Sequence, residues 1–154
     1  MEESFTSSLD EKKLKLELRL AQLKKNEICK KDFLIFVKNM WPDFIAGRHH
    51  KIIADKLERV ASGELKRLII NMAPRHTKSE FASFLFPAWM MGRNPKMKII
   101  QATHTTELAV NFGRKTKNLL ETEEYKEVFD GVKLASDSKA SGRWDTSAGG
   151  MYYA

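Results

Sequence analysis

Two rhythms of apolar residues run along the 154-residue chain, and they predict different elements. Between Leu9 and Glu27, Leu14, Leu16, Leu18 and Leu20 alternate with charges, which is a strand period. The same stretch is long and built from Leu, Lys, Glu, Arg, Ala and Gln, which favour helix. Leu16, Leu20 and Leu23 also fit helical spacing, so the expectation is a helix with a broad apolar face. Phe33, Phe36, Val37 and Met40 follow at i, i+3, i+4 and i+7, a second amphipathic helix that Trp41-Pro42 should stop. A third places Ile53, Leu57 and Val60 on one face, with Gly63 as its C-terminal stop.

From there the rhythm shortens. "RLIINM" (67–72) is a short, branched apolar run that predicts a buried strand. "KSEFASFLFPAWMMG" predicts a helix that Pro87 kinks or ends. "KMKIIQAT" (96–103) predicts a second buried strand, and "TTELAVNFGRKTKNLL" a helix capped near Thr105. A short helical piece, "EYKEVF", precedes a polar remainder with a loop at "DSKASG" and a hairpin turn at Gly149-Gly150. Strands joined by crossover helices describe βαβ units, hence an α/β fold with a parallel sheet and flanking helices. Ligands of such sheets bind where strand C-termini meet helix N-termini.

Composition narrows the class. Apolar residues make up 42% of the chain and charged residues 31%, as in a globular domain. The net charge of +7 and pI near 9.5 are compatible with a polyanionic partner such as nucleic acid, and equally with a basic solvated surface. Cys29 is the sole cysteine, so neither an intrachain disulfide nor a Cys-rich zinc site is available, which suits a reducing compartment. The sequence shows no signal-peptide pattern and no membrane-length apolar run.

Candidate chemistry sits in the polar knot between the first strand and the next helix: Met72-Ala73-Pro74-Arg75-His76-Thr77-Lys78-Ser79. Aligned on Lys78-Ser79, the phosphate-loop pattern G-x-x-x-x-G-K-[ST] finds Met72 and Thr77 where its glycines should be. The pattern fails, but the physics keeps several parts. Unpaired N–H groups at a helix N-terminus favour an anion. Lys78 and Arg75 add positive charge, and Ser79 offers a hydroxyl to Mg²⁺. The competing interpretation is an ordinary turn in which Ser79 caps a helix. A β-branched Thr77 would be costly if its position needs φ > 0.

Three blocks widen the comparison: "RLIINMAPRHTKSEFASFLFPAW", "GRNPKMKIIQATHTTELAVNFGRKTKNLL" and "SGRWDTSAGGMYYA". Together, and in this order, they resemble the ATPase domain of large terminase subunits from tailed bacteriophages, which are DNA-packaging motors. The phosphate loop of that family often reads P-P-R-H-G-K-S; this chain departs from it at Ala73 and Thr77. The upstream "FVKNMWPDFIAGRHHKIIADKLERV" is also similar to the family's opening segment, so the resemblance runs from about Phe33 to the end.

The resemblance implies an incomplete P-loop ATPase-type parallel sheet with flanking helices over 32–154, preceded by an N-terminal helical segment over 1–31. It implies ATP and Mg²⁺, held by Ala73, Pro74, Arg75, His76, Thr77, Lys78 and Ser79. Lys78 would sit on the β/γ-phosphates, Ser79 on the metal, and Arg75 would act as a cis cation at the γ-phosphate. His50, in Arg48-His49-His50, is the candidate for stacking on adenine, against the plainer role of a histidine at a helix start. Implied partners are double-stranded DNA, the small terminase subunit and the portal protein, with a homo-oligomeric ring in the full-length protein. The implied location is the host cytoplasm, transiently at the procapsid portal, with no membrane.

Arg114, Lys115, Lys117 and Arg143 are candidates for DNA or trans-nucleotide contact, and otherwise solvated charges. His104 is a candidate nucleotide sensor or a satisfied loop histidine. Trp41, Trp89 and Trp144 are expected in the core, and Asp10, Asp130, Asp137 and Asp145 at the surface or in caps. The family's acidic Mg²⁺-binding strand and its nuclease domain have no counterpart among these residues, so the chain reads as an N-terminal fragment or a truncated product. Two rivals remain open: a helicase-like P-loop ATPase, and a non-catalytic binding module.

Overall fold

The computed structural model describes residues 2–138 and 140–154, with side chains described from Asp10 onward. Lys139, within the predicted 137–142 loop, and Met1, in the predicted helical segment, lie outside the described residues. The fold is mixed α/β, 57% helical, with a small three-stranded sheet. No helix among the described residues is long and apolar enough to cross a membrane.

The predicted helices form where their apolar periods say they should. α1 spans Glu2–Lys31, α2 Phe33–Met40 and α3 Arg48–Ala61. Asp32 caps α2 by accepting the Ile35 N–H, and Glu58 of α3 accepts the Phe33 N–H at 2.8 Å. Burial pushes the Glu58 carboxyl above the usual carboxylate range, opposed by that hydrogen bond. α5 spans Thr106–Glu121, capped by Thr105, and α6 Glu123–Val128, capped by Thr122. Gly63 ends α3 at φ 80°.

Phe33 is the hub of the helical core. Its ring meets Phe81 and Phe86 edge-on at 5.6 Å and tilts onto Trp89 at 5.4 Å. Trp89, fully buried, donates its indole N–H to the Cys29 carbonyl and so clamps the end of α1 onto the core. Asn26 adds a second clamp, donating to the Glu127 carbonyl on α6. The earlier part of α1 has no buried anchor: residues 10–25 are all exposed, Gln22 reaches Glu127 only at 3.4 Å, and the leucines expected to form a broad apolar face there stay exposed.

The sheet corrects three expectations. Its order is β1–β3–β2, with β1 Lys98–Ile100, β2 Arg143–Asp145 and β3 Met151–Tyr153. β1 pairs parallel with β3, while β2 and β3 form the predicted antiparallel hairpin, so the sheet is mixed rather than parallel. Gly150 lets the chain enter β3 because a Cβ there would run into the carbonyl oxygens of Pro95 and Met97. β1 is shorter than the predicted 96–103 strand and is not buried; Ile100 is 76% exposed. Residues 67–72 form no strand and are hydrogen-bonded to none among the described residues. Their apolar alternation still counts: Leu68, Ile70 and Met72 pack on the core while Ile69 faces solvent.

Pro87 does not end its helix. A π-helical turn, Glu80–Leu85, runs directly into α4, Phe86–Arg93. Phe86 N–H donates to the Phe81 carbonyl, five residues back. The wider turn just upstream relieves the clash that a proline ring makes with the preceding α-helical turn.

Candidate phosphate site

The loop Ala73–Ser79 leaves the 67–72 segment and enters a helical turn at Lys78 and Ser79, which continues into the π-helical turn. Two non-glycine residues in it are left-handed, Arg75 at φ 63° and Thr77 at φ 60°. For a β-branched threonine that conformation is strained by roughly 1–3 kcal/mol and persists only when its surroundings hold it.

His50 is what holds it. As the third residue of α3, His50 takes the Gly47 N–H on Nδ1 at 2.9 Å, the return half of a capping box whose other half glycine has no side chain to make. A ring nitrogen that accepts carries no proton, so the proton of the neutral ring is on Nε2. Nε2 lies 2.6 Å from Thr77 Oγ1 and donates to it. The Thr77 hydroxyl in turn donates to the His76 carbonyl at 2.7 Å. His76 Nδ1 reaches back to the Pro74 carbonyl at 2.8 Å. Thr77 O also accepts the Phe81 N–H, which starts the following helix.

The His50 ring is 6% exposed. One face lies against Phe81 at 5.1 Å, Phe44 meets it edge-on at 4.7 Å, and His49 crowds it at 3.8 Å. No face is left for a base, so the adenine-stacking role expected of His50 is replaced by support of the loop from behind. Burial, then the neighbouring His49 and His76, hold its pKa below the ordinary histidine value. The sequence signal for this role is its place three residues after Gly47, at the start of an amphipathic helix.

Met72, Ala73, Pro74, Arg75, His76, Thr77, Lys78, Ser79 and Glu80 line a cavity of about 550 Å³. Lys78 is half-buried in its wall; Arg75 and Ser79 are exposed. Arg75, His76, Lys78 and Ser79 thus line one concavity, at the beginning of a helix. The arrangement suits an anion: helix-start N–H groups, a lysine and an arginine bound one concavity. Ser79 can offer its hydroxyl to a metal held mainly by the anion's own oxygens. Among the described residues no three His, Cys, Asp or Glu side chains gather to form a metal site of their own. The nearest carboxylate, Glu80, is paired with Lys115 at 2.9 Å.

The other candidates disperse. Lys115 ties α5 to the loop's helix through Glu80, Lys117 donates to the Ser138 carbonyl, and Arg114 donates to Asn111. Arg114 and His104 share a separate open cleft of about 750 Å³ at the N-terminus of α5. Arg143 is exposed on β2. Trp89 and Trp144 are fully buried, and Trp41 is half-buried against Phe44. The four aspartates stand apart; Asp130 and Asp137 are exposed, and Asp145 is half-buried in β2.

No protein-family profile matches the chain, and no curated protein or solved structure matches it either.

Proposed function

We propose that the 73–79 loop binds the phosphates of ATP, and that the chain is the nucleotide-binding part of a phage-type DNA-packaging ATPase. The observation that carries this is the left-handed pair Arg75 and Thr77 on either side of His76, immediately before Lys78-Ser79 at a helix start. A plain capping turn has no use for strain at two non-glycine residues, whereas a loop that must curl its N–H groups toward one point does. The order of the three terminase-like blocks supports the motor reading over a helicase-like ATPase, because the latter accounts for the loop alone.

In this reading Lys78 neutralises the β/γ-phosphates, Arg75 reaches the γ-phosphate from the loop's outer side, and Ser79 completes the shell of a phosphate-bound Mg²⁺. His50 does not touch nucleotide; it keeps Thr77 curled. The motor's DNA contacts would be phosphate contacts from the basic surface, without sequence preference. The small terminase subunit, the portal protein and a ring of copies belong to the same proposal.

A second reading rests on Glu80. Its pairing with Lys115 leaves no free carboxylate beside the loop to orient water, among the described residues. This chain by itself would therefore hold nucleotide without turning it over.

The test is a titration of the 154-residue protein with a fluorescent ATP analogue in Mg²⁺, alongside a phosphate-release assay. Saturable binding that Lys78→Ala weakens at least about tenfold, with no release above background, is the expected result. Binding unchanged by Lys78→Ala removes the phosphate-loop assignment. Robust turnover abolished by that substitution removes the second reading instead.

A further inference from the structure

The exposed part of α1 carries two apolar stripes rather than one face. At 100° per residue, Leu16, Leu20 and Leu23 fall within an arc of about 60°. Leu14, Leu18 and Ala21 fall within a similar arc on the opposite side. All five leucines are between 49% and 62% exposed, and every residue from Asp10 to Lys25 is exposed. This helical arm is about 24 Å long at 1.5 Å per residue, and its one hydrogen bond beyond α1, among the described residues, is a long one, from Gln22 Nε2 to Glu127 Oε2 at 3.4 Å. Most helical stability in proteins comes from packing an apolar face, and here neither stripe is covered.

The charges beside the stripes differ in sign. Lys12 and Arg19 flank the Leu16–Leu20–Leu23 stripe on one edge, and Lys13 and Lys24 on the other. Asp10 and Glu17 flank one edge of the Leu14–Leu18–Ala21 stripe and Glu11 the other; Lys25 falls within the stripe and Lys15 lies beyond Glu11, so three carboxylates set against two cations make this the more acidic of the two sides. Two cationic stripes facing each other would repel, as would two acidic ones; a cationic stripe on an acidic one attracts.

We propose that α1 is a self-assembly helix whose cationic leucine stripe packs on the acidic leucine stripe of α1 in a second copy of this chain. The contact is heterologous, since the two copies use different surfaces. Each copy therefore keeps one stripe free after the first contact, and assembly does not stop at a dimer. An interfacial membrane helix is the poorer fit, because it needs one apolar face opposite one polar face. The inference is independent of the phosphate site.

The experiment is sedimentation velocity on the intact chain up to about 0.1 mM, with two double substitutions. Leu16→Glu with Leu20→Glu removes the cationic stripe's apolar seam; Leu14→Glu with Leu18→Glu removes the other. These positions are exposed, so near-ultraviolet signals from buried Trp89 and Trp144 should stay native in both. The wild-type chain should form species larger than dimers as concentration rises. Each variant alone should associate at least about tenfold more weakly. An equimolar mixture of the two should give a one-to-one heterodimer and nothing larger, because only one complementary pair of stripes survives. A wild-type chain that stays monomeric overturns the proposal. So does a dimer that survives Leu14→Glu with Leu18→Glu, or a monomer that instead binds anionic lipid vesicles.

Discussion

The helical core and the phosphate loop handle their polar and strained groups in opposite ways. Around Phe33 the rings of Phe36, Phe81, Phe86 and Trp89 fill space with no left-handed backbone among them, and the polar tips are answered: Trp89 donates to Cys29 O and Tyr125 to Ala88 O. The loop has little packing of its own and two left-handed non-glycine residues. The two regions meet at one place. Phe81 touches Phe33 on one side and His50 on the other, and His50 reaches Thr77. A strained loop persists here because a rigid core stands behind one of its hydroxyls. The π-helical turn belongs to that junction, since Phe81 lies inside it.

Substitutions should separate the two regions in order of size. Phe33→Ala should be the most damaging, at about 3–5 kcal/mol of unfolding free energy, because it empties a fully buried site among several rings. Denaturant melts check this, and a loss below about 1 kcal/mol would mean the hub collapses around the gap.

His50→Ala tests the junction. It removes the acceptor for Gly47 N–H, the donor to Thr77 and the ring packed on Phe81, and should lower stability by about 1–3 kcal/mol. Because the link runs into the loop, it should also weaken nucleotide binding. A variant that loses stability but binds the analogue normally would break the proposed coupling.

The same residue predicts a pH dependence. The folded His50 pKa lies below the unfolded value, so the unfolded chain takes up its proton first. The His50 contribution is therefore complete above the ordinary histidine pKa near 6.5 and falls away as pH drops below it. Urea midpoints measured from pH 8 down to pH 5 should decline for wild type more steeply than for His50→Ala. Parallel declines would show that His50 is not the group being titrated.

Thr77→Gly reads the loop alone. Glycine relieves strain of roughly 1 kcal/mol at φ 60° but gives up the hydroxyl that His50 holds. These effects are of similar size, so stability should shift by less than about 1 kcal/mol. Nucleotide affinity should be preserved or tightened. A large loss of affinity would show that the threonine side chain itself contacts phosphate or metal. Smallest of all, Ile69→Thr, at a position 85% exposed and remote from the junction, should stay within about 0.5 kcal/mol of wild type.

Periodicity made the helices legible because each needs only its own hydrogen bonds plus one apolar stripe. Phe33, Phe36, Val37, Ile53 and Leu57 were readable as core for that reason, and all are buried. The predicted strands were less legible. "RLIINM" carries the alternation of a strand, yet whether it joins a sheet depends on a neighbour that no local pattern encodes, and here it stays unpaired. Lys96 to Thr103 likewise shortened to a three-residue strand, because β3 itself is only three residues long and its hydrogen bonds end at Met97 and Gln101. The position of the loop was readable from Lys78-Ser79 between an apolar run and a helix. Its curl was not, since Thr77 at φ 60° contradicts local preference.

What the sequence determined by itself, then, is what local backbone hydrogen bonding and side-chain spacing govern: where helices form, which faces are apolar, and which cations crowd one turn. Tertiary structure decided which apolar faces are covered, so that Phe33 became a hub while the leucines of α1 stayed bare. It also decided that His50 would serve as a brace behind Thr77 and not as a platform for a base. Both outcomes depend on contacts between residues far apart in the chain, such as Phe33 with Phe81 and His50 with Thr77. Those contacts form only when the helices pack, and no window of local sequence contains both partners.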